Sequence, residues 1–157
     1  MKFRFAAVGG TLTLALALVG QPASAQVFTP PCFVSDGGRI ATVTTSTGTF
    51  GGSAVTDGTL VGSGQQVYVD HDPVTGFQFR SLSMTAIMCD PDARRAVMHG
   101  TGEVTTDDGP RQLVAYRIEV ADYTDGRLAD EYQITLSNGY DSGRRPVLQG
   151  NVQVMGR

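Results

Sequence analysis

The stretch Asp130–Val154, DEYQITLSNGYDSGRRPVLQGNVQV, decides the fold class. In its first half Tyr132, Ile134 and Leu136 alternate with Gln133, Thr135 and Ser137. In its second half Leu148, Gly150, Val152 and Val154 share one phase, and Val147, Gln149, Asn151 and Gln153 the other. Successive side chains of a strand point to opposite sides, so a period of two predicts two strands with one dry face each. The Asn, Gly, Asp and Ser residues between them predict a turning connection.

The same pattern runs upstream. Gln112 to Asp122 puts Val114, Tyr116, Ile118 and Val120 on one face, with Arg117 and Glu119 on the other. Arg95 to Thr105 reads as a strand carrying Gly100 and Gly102, and His99 falls on its more polar face. Phe77 to Cys89 changes phase, from Phe77 and Phe79 to Leu82, Met84, Ala86 and Met88. A bulge near Arg80–Ser81 reconciles the two halves. Met84, Met88 and Met98 read as core filler, and Tyr68, Tyr116 and Tyr132 as core aromatics. Further upstream lie a strand from Leu60 to Val69, one from Thr49 to Val55 and one from Arg39 to Thr45. Gly51 and Gly52 predict a bulge or a close backbone approach. Asp36-Gly37-Gly38, Asp57-Gly58 and Asp108-Gly109 read as turns. No apolar pattern of helical period follows the N-terminal segment. The expected fold is all-β, an antiparallel sandwich or closed barrel of roughly eight or nine short strands.

The N-terminus reads differently. Lys2 and Arg4 precede an apolar run from Ala6 to Val19, and Ala23-Ser24-Ala25 has the small residues of a cleavage site. This is the pattern of a secretory signal peptide over residues 1–25. The expected organisation continues with an extended lead-in, 26–37, containing Pro30-Pro31, and a single all-β domain, 38–157. No later apolar stretch is long enough for a membrane-spanning helix. The expected location is extracytoplasmic, whether periplasmic, secreted or surface-associated. Loss of Lys2 and Arg4 takes the twelve basic residues to ten against fifteen acidic ones, a net charge of −5 with histidine neutral. That balance argues against nonspecific nucleic-acid binding, which needs a positive surface. Cys32 and Cys89 form an even pair, which in an exported protein predicts a disulfide. It would close a loop of about 58 residues and stabilise by about 4 kcal/mol in the chain-entropy model.

Three clusters could carry chemistry. Gly139-Tyr140-Asp141-Ser142-Gly143 is close to the nucleophile run of trypsin-like proteases but out of register, and neither His71 nor His99 sits in that family's histidine motif. It reads as a connection between strands. Asp70-His71-Asp72 is the densest polar cluster. Its two readings are a hydrogen-bonded turn before Pro73 and the polar site of a small hydrolase. The loop from Asp122 to Glu131 is acidic, and Asp122, Asp125 and Asp130 are its calcium candidates, although the spacing is not that of an EF-hand. The alternative is a solvated loop. No paired carboxylates stand in a recognisable catalytic frame, and no phosphate-binding glycine loop or CxxC motif is present.

Gly48-Thr49-Phe50-Gly51-Gly52, Tyr68-Val69-Asp70-His71, Gly100-Thr101-Gly102, Tyr116-Arg117-Ile118-Glu119-Val120 and the stretch Asp130–Val154 occur in an order that resembles a known family. It is the small β-rich domain that follows choice-of-anchor modules in bacterial surface proteins and also occurs alone. The resemblance runs from about Gly38 to Val154. It implies an extracytoplasmic all-β module without an established catalytic activity, and it supplies no site residues. The loop Tyr123–Ala129 and the run Gln149-Gly150-Asn151 depart from the family's usual loops. The expectation is therefore a noncatalytic β-domain, structural or binding, with an unidentified envelope or extracellular ligand. The small hydrolase and a calcium-stabilised adhesion-type module are the alternatives.

Overall fold

The structure, a computed structural model, describes residues 30–107, 109–123 and 127–156. Eight strands form it: β1 (Cys32–Ala41), β2 (Thr47–Thr56), β3 (Ser63–Asp70), β4 (Phe77–Asp90), β5 (Arg95–Thr105), β6 (Gln112–Ala121), β7 (Glu131–Leu136) and β8 (Arg145–Gly156). Each pairs with its neighbour in the chain, and β8 returns to β1, so the sheet closes into a barrel rather than splitting into a sandwich. Every pairing is antiparallel.

The inward phase of the strands is mostly apolar and occupies the interior, with Asp36, Gln66, Asp70 and Ser81 as buried polar members. Val34, Ile40, Tyr68, Ile87, Met98, Ile118, Tyr132, Ile134 and Val152 have no exposed surface. The outward phase carries polar side chains such as Gln65, Gln78, Arg80, Arg117 and Gln149, with Val67, Leu82, Leu113 and Leu148 exposed among them. Large inward side chains lie over glycines on a neighbouring strand. The Gln66 amide covers Gly52, the Tyr68 ring covers Gly48, Tyr116 covers Gly100 and Phe79 covers Gly102. A Cβ at these positions would meet the covering side chain, so the close approach expected at Gly52 is a packing requirement of the filled barrel.

Several expectations are corrected. Asp36-Gly37-Gly38 is no turn, because all three residues lie inside β1, paired with both β2 and β8, and residues 32–37 of the expected lead-in are part of that strand. The strand expected from Arg39 to Thr45 ends at Ala41, so Val43 lies beyond it and is exposed, and Ile40 is buried in the core. β4 has two register shifts, between Ser81 and Ser83 and between Met84 and Ala86. The second restores the phase, so Ile87 and Cys89 turn inward and Met88 is 40% exposed rather than core. In β8 the same thing happens once. Its register against β1 shifts between Arg39 and Ile40, Gly150 takes φ +110°, and the strand's two halves are out of phase. Val147 is buried as a result, while Leu148, expected beside Val152 and Val154, is 60% exposed.

The expected disulfide is present between Cys32 and Cys89, with their Cα atoms 6.4 Å apart. It joins the start of β1 to the end of β4, across two intervening strands. It staples the end of the barrel opposite the turns at 42–46 and 71–76.

Candidate functional site

At the other end the connection between β7 and β8 folds back over the barrel mouth. Ser142 anchors it. The Ser142 N–H donates to the Ile134 carbonyl at 3.0 Å, and the Ile134 N–H donates to Ser142 Oγ at 3.0 Å. The hydroxyl itself donates to the Gly143 carbonyl at 3.1 Å. This buried serine holds a connection in place, as its sequence context suggested. The anchor sets Tyr140 edge-on against Phe77, with ring centroids 4.7 Å apart, and near Tyr68 at 5.8 Å.

Asp70 ends β3 and points inward. Its Oδ2 accepts the Tyr140 hydroxyl at 2.7 Å, which leaves Tyr140 to accept the Tyr68 hydroxyl at 2.6 Å. Its Oδ1 accepts Ser46 Oγ and the Asp72 N–H, both at 2.9 Å. Thr42 and Thr44 extend the chain through Ser46 to the surface. Burial, with Asp70 close by, pushes the Tyr68 phenol up to about 12, and burial raises Tyr140 further. Both phenols are therefore neutral donors at physiological pH, and the network is a plug joining three connections.

The other two members of the Asp70-His71-Asp72 cluster point elsewhere. The His71 N–H donates to the Thr47 carbonyl at 2.9 Å, and its exposed ring places Nε2 3.0 Å from Thr49 Oγ1. Asp72 Oδ1 accepts the Thr75 and Val74 N–H groups, each at 2.9 Å. Those backbone donors, Thr75's first, hold its carboxyl below the ordinary value. Asp72 is thus a turn cap, Asp70 a plug acceptor and His71 a surface residue, so the three do not converge. Two clefts flank the ridge from His71 to Val74. One of about 580 Å³ lies toward Phe77 and Thr106, and one of about 490 Å³ toward Thr44 and Thr47.

Of the calcium candidates, Asp122 and Asp130 lie along the seam between β6–β7 and β8, and Asp125 is outside the described residues. β7 pairs with β8 at only two positions, Glu131 with Pro146 and Tyr132 with Arg145. Beyond them two carboxylates take the place of a neighbouring strand. Asp130 Oδ2 accepts the Val152 N–H at 2.8 Å, and its Oδ1 accepts the Tyr123 N–H at 2.9 Å. Asp122 Oδ2 accepts the Val154 N–H at 3.1 Å, and its Oδ1 lies 3.9 Å from Arg94. An incoming cation would have to displace those N–H donors. Among the described residues no group of three or more His, Cys, Asp or Glu side chains is placed to hold a metal ion.

Sequence reading missed one polar site. Asp36 on β1 and Gln66 on β3 meet across Gly52, with Gln66 Nε2 donating to Asp36 Oδ2 at 3.0 Å. The same nitrogen lies 3.5 Å from Met98 Sδ. Burial raises the Asp36 carboxyl to about 6, and the Gln66 hydrogen bond only partly offsets this. The available signal was phase, since Asp36 continues the inward series of Cys32 and Val34.

Fold and site together define a closed, side-chain-filled, disulfide-stapled antiparallel β-barrel of eight strands. No protein family, curated protein or solved structure matches the chain. Among the described residues no helix is long and apolar enough to cross a membrane.

Proposed function

We propose that this protein is a noncatalytic extracytoplasmic β-domain that serves as a structural or binding module in the cell envelope or outside the cell. The observation that carries this reading is how the polar side chains of the mouth are used. Asp70, Tyr68, Tyr140, Ser46 and Asp72 are engaged with one another and with backbone groups. The filled interior leaves the outer wall and the rim clefts as the surfaces for a ligand. The export pattern of residues 1–25, the disulfide and the resemblance to surface-protein modules support the compartment. The outward phase, which carries Arg80, Arg117 and Glu119, is unlike the apolar outer band of a membrane barrel.

The test is thermal unfolding of the purified protein against envelope glycans, calcium and EDTA. Selective binding to the native state raises the melting temperature by mass action. A saturable shift with a glycan supports a recognition module. Turnover of a glycan, ester or peptide that is lost in a point variant overturns the noncatalytic reading. One contact keeps the hydrolase reading in view: His71 Nε2 stands at hydrogen-bond distance from Thr49 Oγ1 at the rim. That reading requires His71→Ala to abolish an activity while leaving the melting temperature in place.

A further inference from the structure

We propose that the interior of the barrel encloses ordered water, held by Asp36, Gln66, Tyr116 and Tyr132. Each of these side chains is at least nine-tenths buried, and each carries one oxygen with no partner in the protein: Asp36 Oδ1, Gln66 Oε1 and the hydroxyls of Tyr116 and Tyr132. Stranding such an atom costs about 1–3 kcal/mol, and buried polar atoms are rarely left in that state. Four of them in one small barrel call for a common explanation.

The four atoms belong to one neighbourhood. Asp36 and Gln66 are hydrogen-bonded to each other. Tyr132 stacks on Phe50, two residues from Gly52 in the same phase of β2, and Tyr116 covers Gly100, two residues from the Met98 that lies against Gln66, so these groups face the same interior. Buried side chains flank the neighbourhood on both sides. Toward the mouth stand Phe50, stacked on Tyr132 at 3.9 Å, and then Tyr68, Phe77 and Tyr140. Toward the stapled end stand Val34, Val154, Ile87 and the disulfide.

Their chemistry selects the guest. Two phenols have protons to donate, and a carboxylate oxygen and an amide oxygen have lone pairs to fill. Water both accepts and donates two hydrogen bonds, which complements this set. A bare cation would serve the four oxygens as lone-pair donors but would leave both phenolic protons without acceptors. A buried water typically makes about three hydrogen bonds, and globular proteins hold roughly one per 27 residues.

The test is an atomic-resolution crystal structure of the purified protein. A solution measurement of nuclear Overhauser transfer from water to the Met98 methyl, which packs beside Gln66, accompanies it. The expected result is at least one water within about 3 Å of two or more of the four oxygens, and a Met98–water cross-peak that is lost or markedly weakened in Tyr132→Phe. Tyr116→Phe serves the same purpose if Tyr132→Phe does not fold. A dry interior, a metal cation in the density, or direct pairing of the two phenols with Asp36 and Gln66 would each overturn the proposal.

Discussion

Asp36 is a carboxyl placed among apolar side chains, and its effect on stability has a definite sign. Its folded-state value of about 6 lies above the ordinary 3.8, so folding favours the protonated form. The stabilisation is fully present below about pH 3.8 and is lost as pH rises through about 6; one pKa unit corresponds to about 1.4 kcal/mol, so the whole shift amounts to about 3 kcal/mol. Asp57 and Asp72 run the other way. Their carboxyls are lowered by backbone hydrogen bonds, and their contribution fades as pH falls. The wild-type curve therefore mixes opposing trends, and the difference from Asp36→Asn isolates one. Urea unfolding at pH 4 and pH 7 should show the variant gaining on wild type by about 2 kcal/mol between the two, since at pH 4 part of the whole shift is already lost. A difference independent of pH would mean that Asp36 titrates normally. The Asp36-Gly37-Gly38 run has the composition of a turn, and composition hid the residue. Local propensity lost to pairing with β2 and with β8, the second of which only closure of the barrel supplies.

At the scale of elements, the strands with steady alternation were legible and those that change phase were not. β6 and β7 match their expected faces residue by residue, since nothing interrupts their period of two. In β4 the first shift was readable from the change of phase between Phe79 and Met84, but it falls at Leu82, which is 55% exposed rather than core, and the second, beside Ala86, leaves apolar residues in both phases. In β8 the shift falls at Leu148, and nearby Gly150 has a positive φ and a contact with the Gly37 carbonyl that exclude a Cβ. Gly150→Ala should lower stability by about 1–3 kcal/mol, the scale of a strained backbone position, as read by chemical denaturation. The seam beside β8 makes a second prediction. Asp130→Ala strands the Val152 and Tyr123 N–H groups and should cost about 2–4 kcal/mol. Asp130→Asn keeps one acceptor and should cost less. Calcium linkage separates the two roles of this loop. If Asp130 acts as a latch, the melting temperature falls equally in calcium and in EDTA. If it is a cation ligand, the loss appears only with calcium present.

Over the whole molecule, the pairing that closes the barrel is also the most distant in sequence. β1 and β8 share a register from Cys32–Gly156 to Ile40–Val147, so almost the entire chain must be ordered before the first strand meets the last. Alternation fixes which residues face inward but says nothing about which strand returns to which edge, so sandwich and barrel were indistinguishable in the sequence. The disulfide acts on this problem. By joining β1 to β4 it holds the first strand near the middle of the sheet whether or not β8 has docked. In the chain-entropy model a loop of this length is worth about 4 kcal/mol, drawn mostly from the unfolded ensemble. Cys32→Ser/Cys89→Ser should therefore unfold at lower urea by about that free energy. Because the bridge removes conformations from the unfolded state, much of the loss should appear as slower folding, with a smaller effect on the unfolding rate. Stopped-flow rates on the two forms measure this division. A variant that folds at the wild-type rate and unfolds much faster would show instead that the bridge acts by holding the finished barrel together.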